Sequence, residues 1–493
     1  MPPKIQLPTP GDIHNAFICG EGAVTELFIG VIDIVRQLQS HISELREEIR
    51  ELRSQSAKNS GNSGKPPSSD GLKKKQRTVS LRKSGEKPNG GQPGHKGHCL
   101  EMSDDPDQIR VHRVGMCRNC QASLKDAPVI GHDRRQVFDI PPLRMEITEH
   151  QTETLRCPKC GHHNKSEFPA EISQPVQYGS DIKAHAVYFN TYHHIPLERT
   201  SEIFEHLFGH RISETVIIRA TEVCAAEVEP AYQHIRKQLI KSDVVNFDET
   251  GLRVNQKLNW LTVASAPRLT CYNIHPKRGE QGLTDSGILP EFHGIAVHDH
   301  WKAYFRYSCG HGLCNAHHLR ELKFVCEQYG QIWAKNMSDL LTEIHHEVKK
   351  TAPHNSRLPP QTVGEFESRY DRIIGQGLSA NPPSEKKEGC RGRTKQSVPR
   401  NLIERLRTYK SETLRFMYDF RVPFDNNQAE RDIRMMKVKQ KVSGSFRTGK
   451  GAKIFCRIRS YISTLKKNAC NNIIDAIRRA FEGNPFIPIT TAE

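Results

Sequence analysis

Between Val244 and Asp299 the chain carries short β segments that leave few folds open. Val244–Phe247, Leu258–Ala264, Leu269–Ile274 and Ile295–His298 are rich in β-branched and aromatic residues, with turns between them. Helical periodicity surrounds this block: about 170–240 before it, then about 313–350, 363–375, 402–410 and from about 427 onward. Strands in one block followed by long helices predict an α/β core that carries a helical insertion. Two strand segments run into a carboxylate. Asp248 ends the first, in "NFDET", and Asp299 follows the fourth, in "AVHDHW". Adjacent, parallel strands would bring both to one edge of the sheet.

A third carboxylate stands in "FDNNQAERDIRMMKVKQKVSG", where one Glu precedes a series of cations. Glu430, Arg434, Lys437 and Lys441 recur at four, three and four, so they share a helix face, and Ala429, Ile433 and Met436 form the neighbouring apolar stripe. Taken alone, this is a surface helix with an i to i+4 ion pair. The order strand Asp, strand Asp, helix Glu says more. Three hard oxygen donors can hold two Mg²⁺ or Mn²⁺ ions about 3.5–4 Å apart, one activating an attacking oxygen and one taking up charge on the leaving oxygen. Arg431, Arg434, Lys437 and Lys441 would then run outward along a polyanion, with Arg434 partly offsetting Glu430. "GSFRTGKG", with Arg447 and Lys450, is a Gly-rich basic loop suited to backbone phosphate. It lacks the Walker A spacing and does not suggest ATP.

"CRNC" (Cys117, Cys120) and "CPKCG" (Cys157, Cys160) each put two thiols within reach of one ion. Strands are expected between them, over Gln136–Ile140 and Met145–His150. Two such pairs joined by strands read as a zinc-ribbon-like module with a closed four-Cys structural Zn²⁺ site. "CGHGLCNAHHLREL" is more open. Cys309, Cys314, His317 and His318 are close enough in sequence to bind a further metal, or His317 and His318 support the carboxylates while Cys314 is buried and Glu321 backs His317. Trp301 reads equally as a base-stacking residue and as core.

Toward the N-terminus, Val35, Leu38, Ile42, Leu45, Ile49 and Leu52 alternate three and four apart, with Val or Ile at a and Leu at d. That suits either a parallel two-stranded coiled coil, hence a homo-oligomer, or a helix packed on its own domain. A Ser-, Gly-, Pro- and Lys-rich stretch follows, expected to be a flexible basic linker that can track phosphates without reading bases. Lys plus Arg outnumber Asp plus Glu by 72 to 56, a formal charge of +16, which favours a nucleic-acid partner. The start has no long apolar core and no apolar run suits a membrane span, so no membrane partner is expected. The fourteen Cys are too sparse for a disulfide scaffold in 493 residues, which suits a reducing cytoplasm.

These motifs together resemble the long transposase of the insertion sequence sixty-six family, a bacterial DDE-type transposase. "KNSGNSGKPPSSD" (58–70), "GGQPGHKGH" (90–98), "CRNC", "RRQVFDIP", "CPKCG", "DETGLRV", "HDHWKAY", "LCNAHHLREL" and "DNNQAERDIRMMKVKQKVSGSFRTGKGA" carry the resemblance in order along almost the whole chain. It implies a ribonuclease H-like catalytic core with the triad Asp248, Asp299 and Glu430. It also implies metal-dependent cleavage at transposon ends and attack of the freed 3′-hydroxyl on target DNA, both double-stranded. Small accessory proteins encoded by the same element and a nucleoid-associated location in a bacterial cytoplasm are further implications. A metal-dependent nuclease of the same fold, and an inactive zinc-containing DNA-binding protein, are the competing readings. The expected organisation is a helical or coiled-coil segment (1–56), the basic linker (57–108), the zinc module (109–168) and a helical domain expected to bind DNA, as a helix-turn-helix or a plain hairpin (169–240). The first part of the catalytic core (241–312), the helical insertion (313–423) and the helical C-terminal part of the core (424–493) complete it.

Overall fold

A computed structural model describes residues 7–59, 62, 100–384 and 394–488. Most of the linker, including nearly all of the motif at 58–70 and the whole of that at 90–98, lies outside the described residues. The chain forms two compact units: Arg77–Ser173 with Ser201–Ile212, and Met1–Gln76 with Gln174–Thr200 and Ser213–Glu493.

In the smaller unit an antiparallel hairpin of β1 (Thr154–Arg156) and β2 (His163–Lys165) holds the second Cys pair at its turn. The strands expected over Gln136–Ile140 and Met145–His150 do not form. Val137, Ile140 and Ile147 are 77% or more exposed, so those residues have no apolar layer to pack on. A strand without a partner or a covered face has nothing to offset its ordering entropy.

The larger unit is built on a five-stranded mixed sheet: β3 (Val244–Val254), β4 (Lys257–Ser265), β5 (Thr270–His275), β6 (Ile295–His298) and β7 (Gly310–Leu313), in the order β5-β4-β3-β6-β7. The first three are antiparallel neighbours; β6 is parallel to β3, and β7 to β6. β3 runs well past the expected Phe247 because Asn255 and Gln256 both take positive φ (47° and 62°) in the two-residue turn to β4. That turn matches the strand twist and lets pairing continue to Val254. β7 was not expected. "GHGL" has little β propensity, but a Cβ on Gly312 would meet Val422 Cγ1 at 3.0 Å, so its glycines let the insertion pack close to this edge strand.

Period-two alternation sorts β3 between two faces. Val245 and Phe247 meet Ile235 and Leu239 of the helix Glu229–Ile240 on one side. Leu252 and Val254 meet Ala429, Ile433 and Met436 of the helix Asn427–Ser443 on the other. The insertion helices Asn315–Tyr329, Ile332–Thr351, Pro360–Ala380 and Val398–Thr408 share a core that includes Val297 of β6. The expected 313–350 helix is two helices because Gly330 adopts a left-handed cap (φ 62°). The helices Ser180–Val187 and Glu214–Glu227 share their core with Gly449–Lys467 and Ile473–Phe481, so this part of the 169–240 segment packs with the C-terminal helices. Near the N-terminus, Pro10–Cys19 is capped by Thr9 and Asp12, and Glu21–Ala57 is one long helix whose heptad residues Val35 to Leu52 lie exposed. Among the described residues no helix is long and apolar enough to cross a membrane.

Gly294, just before β6, has no room for a side chain: a Cβ would lie 2.5 Å from the carbonyl oxygens of Ser242 and Asp243. Since backbone must move to admit it, Gly294→Ala is expected to lower unfolding stability by about 1–3 kcal/mol in chemical denaturation. An unchanged midpoint would mean that β3 and β6 are not this closely paired.

Candidate active site

The register of the three parallel strands generates the site. Val244, Val245 and Asn246 pair with Ile295, Ala296 and Val297, and Ile295 to His298 pair with Gly310 to Leu313. Carried onward, the same register sets Asp248 beside Asp299 and Asp299 beside Cys314, in one row on one face. Asp248 is on the Leu252 and Val254 side of β3, which the Glu430 helix covers.

Asn426 brings that helix in. Its side chain donates to the Phe247 carbonyl (2.7 Å) and accepts from the Asn246 amide (2.8 Å), and its backbone N–H donates to Cys314 Sγ (3.2 Å). Asn426 is buried, so the clamp is shielded from water. On the same helix Asp432 accepts from Ser265 (2.7 Å), Thr270 (3.1 Å) and the Lys467 ammonium (2.7 Å), tying it to β4 and β5. Glu430 sits in the first turn, where the amino end of a helix favours a carboxylate.

The carboxylates disfavour one another's charge. Burial, with the charges of Glu249, Asp299 and Glu430, raises the Asp248 pKa well above the ordinary carboxylate value, although the Glu249 N–H donates to Asp248 Oδ1 (2.8 Å). Burial also raises Asp299, opposed by the Trp301 N–H at 3.1 Å and by Arg278 and Arg405. Half-buried like charges beside one another are a fitting place for divalent cations.

Glu430 does not face Arg434 as the helix spacing suggested. Its neighbours are His317 Nδ1 (3.9 Å) and Arg320 Nη2 (4.0 Å), both approaching Oε1. Glu430 Oε1 and His317 Nδ1 are both buried without a hydrogen-bond partner. Burial, Arg320 and Arg405 lower the His317 pKa to about 4, which leaves the ring neutral at neutral pH. Glu321 pairs with Arg405 rather than backing His317. Among the described residues, the one group of three or more ligand-type side chains within 4.8 Å of one another is Cys314, His317 and Glu430. His318 is instead held by Asn315 (3.0 Å), and Cys309 lies in the core on the other face of the sheet.

Sequence reasoning missed Glu249 and Arg278. Glu249, 3% exposed, accepts from Arg278 (2.7 Å) and from Tyr304 (2.7 Å). Arg278 also lies over Trp260 (4.5 Å) and Trp301 (4.4 Å). Trp301 packs on Tyr304 as well, so it is half core and half site wall. Only the adjacency of Glu249 to Asp248 in "DET" hinted at this arrangement.

Of the expected phosphate contacts, Arg431, Arg434, Lys437, Lys441, Arg447 and Lys450 are all exposed. Lys437 Nζ donates to the Gly251 carbonyl (2.8 Å) and Lys450 pairs with Glu222 (2.7 Å).

In the smaller unit each Cys pair forms a knuckle. Backbone N–H groups of Cys120 and Asn119, with the Cys120 thiol, hold the Cys117 thiol below its ordinary pKa; Cys160 and Lys159 do the same for Cys157. Gly161 fills the left-handed position of one knuckle (φ 75°) and Gln121 that of the other (φ 56°). The donor pattern fits metal-bound thiolates. The four sulfurs are not gathered within 4.8 Å as a group of three or more.

Residues 175–454 match the family described as Transposase IS66 family. Residues 115–161 match the zinc-finger binding domain of transposase IS66, and residues 21–101 match a family of unknown function. No curated protein matches the chain.

Proposed function

Because the chain belongs to the IS66 transposase family, we propose that its mixed sheet is a ribonuclease H-like catalytic core in which Asp248, Asp299 and Glu430 hold Mg²⁺ or Mn²⁺ for cutting DNA at transposon ends and joining the freed 3′-hydroxyl to target DNA. Family membership carries transposase-type activity. The observation that supports the finer reading is the row of carboxylates: Asp248, within β3, and Asp299, just past β6, at one register on adjacent parallel strands, with Glu430 brought to that face by the Asn426 clamp. The order β5-β4-β3-β6-β7, three antiparallel strands and then two parallel, supports the core assignment.

The residues fit divalent ions. Two half-buried carboxylates are pushed toward protonation, and a third has a buried oxygen without a partner. Bound ions would activate the attacking water or 3′-hydroxyl and take up charge on the leaving oxygen. The chain's own residues do the rest. Asn426 and Asp432 fix the helix that carries Glu430, and the Glu249–Arg278 pair with Trp260 and Trp301 walls the site. Exposed Arg431, Arg434, Lys441 and Arg447 supply cations for backbone phosphate, which position DNA without reading its sequence. Cys117, Cys120, Cys157 and Cys160 would hold a structural Zn²⁺. A second copy and the element's small accessory proteins are the expected protein partners.

The test uses the purified full chain with labelled duplex carrying the ends of its own element, unlabelled target DNA, and Mg²⁺ or Mn²⁺. Nicking at the element's ends and end-to-target joined products are expected. Cleavage without joining would reduce the reading to a nuclease. Bound but uncut DNA with either ion, and with the accessory proteins present, would overturn it.

A further inference from the structure

The carboxylate row continues into a different chemistry at its third member. Cys314 follows β7 at the register position beside Asp299, caps the helix Asn315–Tyr329, and is buried. Three residues on, His317 lies in the first turn of that helix, which is how Cys-x-x-His brings its two side chains together. From the other side the Asn427–Ser443 helix delivers Glu430, and its capping residue donates an N–H to the Cys314 sulfur at 3.2 Å. Two helix amino ends therefore converge on one sulfur; burial nonetheless pushes the Cys314 thiol up, to about 12, so it is a bound cation that would draw off its proton.

We propose that Cys314, His317 and Glu430 form a second, softer metal site, one for Zn²⁺ or a similar divalent transition ion, that shares Glu430 with the Asp248–Asp299 pair. The sulfur, one imidazole nitrogen and one carboxylate oxygen lie within 4.8 Å of one another. His317 Nδ1 and Glu430 Oε1 are 3.9 Å apart. Donors on one tetrahedral zinc are separated by about 3.3–3.6 Å, so a shift of a few tenths of an ångström closes that pair, and the sulfur, within 4.8 Å of both, has at most about 1.5 Å to close. Both atoms are buried without a hydrogen-bond partner. A competing charge, Arg320, lies 4.0 Å from Glu430 Oε1, its side chain 30% exposed. A water completes four ligands. Thiolate and imidazole select against Mg²⁺ and for Zn²⁺, so the two sites differ in ion as well as in place. Cys309 and His318, candidates on sequence spacing, take no part.

The experiment titrates Co²⁺ into chelator-stripped full chain, following the thiolate-to-cobalt absorption band and the metal bound per chain. Cys314→Ser and His317→Asn are each expected to weaken one equivalent of Co²⁺ by at least about 100-fold. Asp248→Asn should bind Co²⁺ at both soft sites as the wild type does. A Cys117→Ser/Cys157→Ser double variant, which leaves the sheet untouched, should retain a one-thiolate cobalt band, and this serves if Cys314→Ser does not fold. Full stoichiometry in Cys314→Ser and His317→Asn, or no band in the double variant, overturns the proposal. DNA cleavage is scored separately. Cleavage lost in Asp248→Asn upholds the carboxylate reading whatever cobalt does, and retained cleavage there sinks that reading without touching this one.

Discussion

Asp248→Asn is expected to lower DNA cleavage by at least about 10³-fold, about 4 kcal/mol of transition-state stabilisation, while leaving DNA binding intact. The amide keeps the shape of the side chain and its place in the row beside Asp299 but cannot supply the charge that holds a divalent ion. Binding is expected to survive because the proposed phosphate contacts are exposed cations carried by the helix Asn427–Ser443 and the loop that follows it, not by β3 itself. Glu430→Gln is expected to behave alike. Single-turnover cleavage and filter binding on one DNA preparation measure both effects. Equal cleavage by wild type and Asp248→Asn would remove Asp248 from the site.

The same substitution has an opposite effect on stability. Asp248 has a folded-state pKa well above its unfolded value, through burial first and then the charges of Glu249, Asp299 and Glu430. The native state thus holds the proton to higher pH than the unfolded chain, so stability falls as pH rises from the ordinary Asp value through the folded one. Removing the charge removes that fall. In chelator at neutral pH, Asp248→Asn should melt above wild type, and the gap should narrow toward pH 4. A lower melting temperature for the variant at neutral pH would show that the wild-type carboxylate is stabilised by a partner.

Asn426→Ala is the second large effect expected, on stability and rate together. The clamp satisfies the buried Asn246 amide and the Phe247 carbonyl, and alanine leaves both without a partner. Unmade buried hydrogen bonds cost about 1–3 kcal/mol each, so a loss of about 2–6 kcal/mol is expected in chemical denaturation. The start of the Glu430 helix would also lose its tie to β3, and a misplacement near 1 Å costs about 10²-fold in rate. Cleavage measured well below the unfolding midpoint should fall by about 10–100-fold. Stability lost with the rate unchanged would mean that Asp432 and Lys467 hold the helix unaided.

Much of this was open to local reading. Four of the five strands and the helix with Ala429, Ile433 and Met436 inward follow from periodicity that neighbours along the chain express. Both cysteine knuckles follow in the same way, because a turn of five residues closes on itself. The alternation of one short block put Asp248 and Asp299 on neighbouring strand segments, but Asp248 lies within β3, which continues to Val254, rather than at its end.

Other outcomes were decided in three dimensions. Gly310–Leu313 became a strand because β6 had an open edge and the glycines let helices cover it. Gln136–Ile140 and Met145–His150 had strand-like composition but found no covered face. Glu430 met His317 and Arg320 instead of Arg434, since the sheet and the insertion, not the helix spacing, chose what stood opposite it. Propensity and period act over one turn of chain. The partners of Glu430, Asn426 and Arg278 lie far away along the sequence, and their contacts exist only after β3, β6 and β7 have set their common register.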